Sequence, residues 1–77
     1  MNQTKANNLF RVKRRAAGLT MAQLADRVGT SKQAVSYWES GDSWPNPRFI
    51  PKLAKVFNQT AESLALELEE ARVLLTA

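Results

Sequence analysis

Hydrophobic positions recur at intervals of three and four residues along the chain, and no segment alternates apolar and polar residues as a strand does. Gly18, Gly29 and Gly41 each follow a segment of helical length. A glycine in the left-handed conformation commonly ends a helix, and a hydroxyl residue commonly begins the next. Thr20 and Ser31 stand in that second position, and Gln23 completes a capping box with Thr20. The pattern predicts helices over 5–17, 21–28 and 32–40.

Prolines organise the second half of the chain. Pro45 and Pro47 indicate a loop over 41–48. Pro51 is tolerated only in the first turn of a helix, so the fourth helix is predicted over 49–57. Asn58 and Thr60 then form a turn and a cap before a fifth helix from 61 to about 75. The predicted fold is all-α, a compact five-helix bundle, with a main domain over 1–66 and a C-terminal extension over 67–77.

Each predicted helix has an apolar face for a common core. The core candidates are Phe10, Ala17, Leu24, Ala25, Val28, Val35, Trp38, Ile50, Leu53, Ala54, Phe57 and Leu64. Arg14 interrupts this pattern, because it lies on the same helix face as Phe10. A guanidinium on a core face is costly unless it is paired, and we expect an ion pair with Glu39 at the end of the third helix. The alternative is that Arg14 extends its head group into solvent.

The fifth helix carries apolar residues at 4-3-4 spacing, which are Leu64, Leu68, Ala71 and Leu75. Such a heptad-like row is typical of an interface between two helices. It predicts a homodimer contact or a docking helix for another protein. The alternative is that the helix packs on the core of its own domain.

Composition and charge argue against several classes of function. The chain has 77 residues, a net charge of +4, and neither cysteine nor histidine. The commonest metal ligands and the commonest general base are therefore missing, so we expect no metal, no cofactor and no enzyme. No apolar run is long enough to cross a membrane and the start is polar, which favours a cytoplasmic protein.

The charge is distributed unevenly along the chain. Residues 1–38 contain Lys5, Arg11, Lys13, Arg14, Arg15, Arg27 and Lys32 but only one acid, Asp26. A basic first half suggests a polyanionic partner, most simply nucleic acid, and a solubilising surface charge is the alternative.

The second and third helices, joined by a short turn at Gly29, have the layout of a helix-turn-helix. In that motif the second helix enters the major groove of DNA. The outward face of the third helix carries Lys32, Gln33, Ser36 and Tyr37. Lysine can donate to guanine, glutamine can pair with adenine, and tyrosine can meet a thymine methyl group or a phosphate. The alternative is the ordinary solvated face of an amphipathic helix.

The run from Gly18 to Gly41 resembles the Cro/CI (XRE) family of helix-turn-helix DNA-binding domains, above all in Leu24-Ala25, Gly29 and Trp38-Glu39 followed by Gly41. The run from Pro47 to Ala54 is similar to the fourth-helix segment of lambdoid phage repressors and Cro proteins. The resemblance covers about residues 9–66. It implies the fold of the lambda repressor DNA-binding domain and a dimer on a two-fold symmetric operator.

Site residues follow from the resemblance, position by position. It implies base contacts from Lys32, Gln33, Ser36 and Tyr37. It implies phosphate contacts from Thr20, Met21, Ala22, Ser31, Ser40, Ser43, Trp44 and Arg48. It also implies the buried pair of Arg14 and Glu39. Two departures stand out: Met21 replaces a family glutamine that helps to hold the phosphate, and the loop from Gly41 to Pro47 is one residue longer than in similar phage proteins.

The expected function is that of a sequence-specific, double-stranded-DNA-binding transcriptional regulator, a repressor of Cro/CI type. The alternatives that share this domain are an antitoxin, with its toxin bound to the C-terminal helix, and a restriction-modification controller protein.

Overall fold

The computed structural model describes the backbone of residues 5–76 and the side chains of residues 9–71. This part of the chain is entirely helical, as predicted, and has no strand. The elements are α1 Lys5–Ala16, α2 Met21–Val28, α3 Lys32–Ser40, a 3-10 turn Pro47–Phe49, α4 Ile50–Val56 and α5 Ala61–Thr76. α1 packs against α3 and α5, α2 against α3 and α4, and α4 against α5.

The predicted caps set the ends of the first three helices. Gly18, Gly29 and Gly41 are left-handed, with φ of 73°, 81° and 88°. Thr20 Oγ1 accepts from the Gln23 amide at 3.1 Å, and Gln23 Oε1 accepts from the Thr20 amide at 2.8 Å, which confirms the capping box. Ser31 Oγ accepts from the Ala34 amide at 3.1 Å. The lengths of α2 and α3 therefore follow from local chemistry.

The entry into α4 differs from the prediction. The chain first forms the 3-10 turn Pro47–Phe49, in which Asn46 Oδ1 accepts from the Arg48 amide at 2.9 Å. α4 then runs from Ile50 to Val56, slightly inside the predicted 49–57. Pro51 lies in the first turn as expected, where its missing amide costs no helical hydrogen bond.

Phe10 lies at the centre of the core. The fully buried side chains are Phe10, Leu24, Val28, Val35, Leu53 and Leu64. The Phe10 ring lies 5.9 Å from the Trp38 ring and 6.4 Å from the Trp44 ring, and Trp38 lies 5.9 Å from Phe49. These distances suit edge and tilted aromatic pairs, so the rings join α1, α3 and the loop before α4.

Three core predictions need correction. Ala17 is exposed, because α1 ends at Ala16 and the chain turns away from the core there. Leu19, just after Gly18, is buried in its place. Ile50 and Phe57 are only half-buried, although both pack against the core.

The expected ion pair between Arg14 and Glu39 is confirmed. Arg14 Nε donates to Glu39 Oε2 at 2.5 Å, and Nη2 donates to Oε1 at 3.2 Å. Arg14 Nη1 also donates to the Leu19 carbonyl at 2.9 Å. Glu39 is 4% exposed, and Arg11 Nε adds a contact to it at 3.5 Å. The hydrogen bond to Glu39 raises the pKa of Arg14 and outweighs the opposing effect of burial, so the guanidinium stays charged.

The apolar row of α5 belongs to the core of its own domain. Leu64, Leu68 and Ala71 are 0%, 8% and 7% exposed within a single chain. The dimer interface predicted for these three residues is therefore wrong, because packing against α1 and α4 already covers them. Leu75, the fourth member, lies outside the described side chains. The core also continues beyond residue 66, where the main domain was expected to end.

A polar network joins the other side of α1 to α5. Lys13 Nζ lies 2.9 Å from Glu67 Oε1 and donates to Gln59 Oε1 at 2.8 Å. Gln59 Nε2 donates to Glu67 Oε1 at 2.8 Å. Burial raises the pKa of Glu67, but the hydrogen bonds from Lys13 and Gln59 and the charge of Lys13 lower it by more. The carboxylate is therefore held in its charged form.

Removing the buried carboxylate should strongly destabilise the fold. Glu39→Ala leaves the Arg14 guanidinium buried without its partner, which costs about 3–5 kcal/mol. We expect a large drop in the thermal midpoint, measured by circular dichroism. Glu70→Ala, at an exposed position of α5, is the matched control and should change stability by less than about 0.5 kcal/mol. Equal midpoints for the two variants would disprove the structural role of the pair.

The network around Glu67 should make stability depend on pH. Because the folded pKa of Glu67 lies below its unfolded value, its contribution is fully present above the unfolded pKa and is lost as the pH falls through the folded one. Glu67→Gln should therefore unfold more easily in urea than the wild type at pH 7, by less than about 1 kcal/mol for this partly exposed pair. The difference should shrink as the pH falls below the ordinary glutamate range and through the folded pKa of Glu67. A difference that persisted at low pH would contradict this assignment.

Candidate nucleic-acid interface

The crossing of α2 and α3 is held rigidly from inside. Leu24, Ala25 and Val28 of α2 and Val35 of α3 are all buried between or beneath the two helices. Ala25 is small, which allows the close approach that such a crossing needs. Gly29 takes positive φ in the turn, which a residue with a Cβ adopts only with strain. The outward face of α3 is therefore fixed with respect to the rest of the domain.

That outward face carries the four side chains predicted to read bases. Lys32, Gln33, Ser36 and Tyr37 are all exposed. Tyr37 is 43% exposed although it is a large aromatic residue, so its ring is not part of the core. Gln33 Nε2 donates to Tyr37 Oη at 2.8 Å. The structure thus brings the four residues to one polar surface, defined here as the α3 face.

At the start of α2, the hydrogen-bond donors available to a phosphate are mainly backbone amides. The amides of Met21 and Ala22 lie in the first turn, where a helix has no acceptor of its own for them. The Met21 side chain is half-buried and packs against the core. It contributes packing where the glutamine of similar proteins would contribute a polar contact to the phosphate. Thr20 and Ser31 are exposed, and each uses a hydroxyl lone pair for capping, which leaves the hydroxyl proton to donate elsewhere.

The loop between α3 and α4 carries the remaining candidates for phosphate contacts, and they fall into two groups. Ser40 Oγ donates its single proton to the Tyr37 carbonyl at 3.1 Å and accepts from the Asp42 amide at 3.3 Å. Trp44 is half-buried, with its ring edge-on to Phe10. Ser43 and Arg48 are exposed. Ser40 and Trp44 therefore shape the loop, while Ser43 and Arg48 present donors to solvent.

Arg48 is held in place by an aromatic ring. Its guanidinium carbon lies 4.9 Å from the centre of the Phe49 ring, which is a favourable cation–π distance. Phe49 in turn packs against Trp38 of α3. The charge of Arg48 is therefore fixed relative to the α3 face.

A second group of cations was not identified from the sequence. Arg27, Lys52 and Lys55 line a cleft of about 440 Å³ together with Val56. Lys52 Nζ lies 4.0 Å from the point where a Cβ on Gly29 would stand, so the cleft adjoins the turn that leads into α3. No ion pair with these three residues occurs among the described side chains. The 52–55 spacing on α4 was a signal for two of them, but only the fold brings Arg27 close.

The described residues contain no cluster of three side chains that could hold a metal ion. In the same part of the chain, no helix combines the length and the apolar character needed to cross a membrane. What the surface does offer is a set of hydrogen-bond donors and cations around one exposed helix.

Comparison with known proteins gives the same picture. A family model described as helix-turn-helix matches residues 10–64. The transcriptional activator BcrR of Enterococcus faecalis, of the helix-turn-helix type, is 37% identical over 51 residues, which are 66% of this chain and 25% of that protein. An uncharacterized regulator of the same type from Archaeoglobus fulgidus is 36% identical over 47 residues, 61% of this chain and 67% of that protein. The chain thus spans only about a quarter of the Enterococcus relative. No solved structure matches significantly.

Proposed function

Because the chain belongs to the helix-turn-helix family of DNA-binding transcriptional regulators, we propose that it recognises a specific double-stranded DNA sequence by placing α3 in the major groove. The observation that carries this proposal is the α3 face, with four exposed polar side chains on a helix whose crossing with α2 is fixed by buried residues. The residues that form this base-recognition surface are Lys32, Gln33, Ser36 and Tyr37.

The chemistry of the α3 face suits base edges. Lys32 donates to the O6 and N7 atoms of guanine, and Gln33 both donates to and accepts from adenine. Both lie in the first turn of α3, the end that leads into the groove in this motif. Ser36 and Tyr37 lie one turn later on the same face. Serine can hydrogen-bond to a base edge, and tyrosine can contact a thymine methyl group.

Phosphate contacts fix the register of the domain on DNA. The amides of Met21 and Ala22 bind one phosphate at the positive end of α2, with the hydroxyl of Thr20 beside them. Ser31 adds a hydroxyl at the start of α3. From the loop, Ser43 and Arg48 supply the direct contacts, and Ser40 and Trp44 hold the loop in shape. These contacts set the affinity for DNA in general, whereas the α3 face sets the sequence preference.

The regulator acts as a dimer on a palindromic operator, with one α3 in each of two half-sites about one helical turn apart. The contact between the copies does not use Leu64, Leu68 and Ala71, which the core already buries. Repression is steric: the bound protein covers a promoter and blocks polymerase without a cofactor. The Enterococcus relative is described as an activator. For this chain, the position of the operator relative to the promoter determines whether transcription is repressed or activated.

Replacing Gln33 should relax specificity at one base pair. Gln33→Ala removes a bidentate contact that is worth about 1–3 kcal/mol of discrimination. Binding to the selected operator and to all its single-base variants, measured by fluorescence anisotropy, should show preference lost at one position and kept elsewhere. An equal loss on operator and random DNA would rule out base reading by Gln33.

Arg48→Ala tests a phosphate contact and is the counterpart of Gln33→Ala, which tests a base contact. It should weaken binding to operator and random DNA alike and reduce the slope of log K against log salt by about 1. The wild-type affinity should itself fall by roughly 10³ or more between low and physiological salt if six to eight phosphates are neutralised. A binding constant insensitive to salt would contradict the proposed function.

The dimeric mode is tested with DNA of different symmetry. Against a palindromic operator, a duplex with one half-site scrambled should bind far more weakly, and sedimentation of the palindromic complex should give two copies per duplex. Scrambling the spacer while keeping its length serves as the control. One copy per duplex, with equal affinity for both DNAs, would show that the domain binds as a monomer.

A further inference from the structure

Gln33 and Tyr37 form a hydrogen bond that the fold itself does not need. The Gln33 Nε2 to Tyr37 Oη distance is 2.8 Å, and both side chains are exposed on the same face of α3, one turn apart. An exposed bond of this kind adds little to stability, because water replaces it readily. Its effect is instead on geometry: in the structure it holds the Gln33 carboxamide beside the Tyr37 hydroxyl, with Nε2 toward Oη.

The selected orientation determines what Gln33 offers to a base. A carboxamide carries two N–H donors and one acceptor oxygen. With one N–H bound to Tyr37, the group presents one N–H and Oε1 to its surroundings. That pair matches adenine, which shows an N7 acceptor beside an N6 donor in the major groove. Guanine shows two acceptors there, and only one donor of Gln33 remains to meet them.

A glutamine without this restraint behaves differently. It can rotate its amide so that both N–H groups face the two acceptors of guanine, and it loses rotamer entropy each time it binds. Fixing a flexible side chain before binding reduces that entropic cost. The Tyr37 hydroxyl therefore acts on both the choice of base and the affinity.

We propose that Tyr37 is a positioning residue, whose hydroxyl orients the Gln33 carboxamide and thereby favours adenine over guanine at the base pair that Gln33 reads. This inference rests on the proposed function. It differs from the direct roles expected of Tyr37, a contact with a thymine methyl group or with a phosphate, because here Tyr37 acts through Gln33.

The decisive variant is Tyr37→Phe, which removes the hydroxyl and keeps the ring. Binding is measured on the selected operator and on variants in which adenine is replaced by guanine, one position at a time. Gln33→Ala first identifies the base pair that Gln33 reads. Ser63→Ala, which loses a hydroxyl from an exposed position of α5 outside every proposed DNA contact, is the control.

The expected result is that Tyr37→Phe reduces adenine-over-guanine discrimination at that base pair by about threefold to tenfold, the value of one pre-ordered side chain. Ser63→Ala should leave discrimination there unchanged. In a Gln33→Ala background, Tyr37→Phe should have no further effect at that position. The slope of log K against log salt should be that of the wild type.

A measurement on the free protein makes the test independent of DNA. In NMR spectra of the wild type, the side-chain amide of Gln33 should have a higher order parameter than in Tyr37→Phe. The side-chain amide of Gln23, whose Oε1 accepts from the Thr20 backbone N–H, is the internal reference and should not change.

Several results would overturn the inference. Equal weakening on adenine and guanine would make Tyr37 a phosphate contact, and a changed preference at another base pair would make it a direct reader. An unchanged Gln33 amide in Tyr37→Phe would show that the hydroxyl orients nothing. If Gln33→Ala relaxes no position at all, base reading by Gln33 fails first, and the role of Tyr37 falls with it.

Discussion

The ion pair between Arg14 and Glu39 is the interaction on which the rest of the structure depends. It connects the last turn of α1 to the end of α3, and a third bond from Arg14 holds the Leu19 carbonyl just before α2 begins. One guanidinium thus fixes three segments. Such a buried pair adds little net stability, because both charged groups lose their hydration on folding. Its effect is to hold the end of α1, the residue before α2 and the end of α3 together, with both charged groups hydrogen-bonded.

The aromatic rings extend this constraint from the core to the surface. Phe10 contacts Trp38 and Trp44, Trp38 contacts Phe49, and Phe49 lies beneath the Arg48 guanidinium. The cation offered to a phosphate is therefore connected by packed rings to the helix that presents the α3 face. In a domain of this size, few residues are purely structural or purely functional. A change in Phe49 would disturb the core and the surface charge together.

Local chemistry explains why so much of the fold could be predicted from the sequence. The ends of α2 and α3 depend on Gly29, Thr20 and Ser31, each acting within four residues, and the Arg14–Glu39 pair followed from a charge on an apolar face. The largest error arose where the same side chains had two possible partners. A row of apolar residues on α5 has the same spacing whether it faces a second copy or its own core, and only the buried areas of Leu64, Leu68 and Ala71 distinguish the two. The Arg27–Lys52 proximity and the Gln33–Tyr37 bond needed three-dimensional positions.

The cleft lined by Arg27, Lys52 and Lys55 gives the free domain a particular response to its medium. Three like charges face one another there, and no carboxylate among the described side chains compensates them. Dissolved salt screens the repulsion within this cleft, so this one contribution to the free energy of folding becomes more favourable as the ionic strength rises. The same salt weakens the attraction of cations to DNA, because each counterion released on binding gains less entropy when the bulk salt concentration is high. The cleft and a phosphate contact therefore respond to ionic strength with opposite signs.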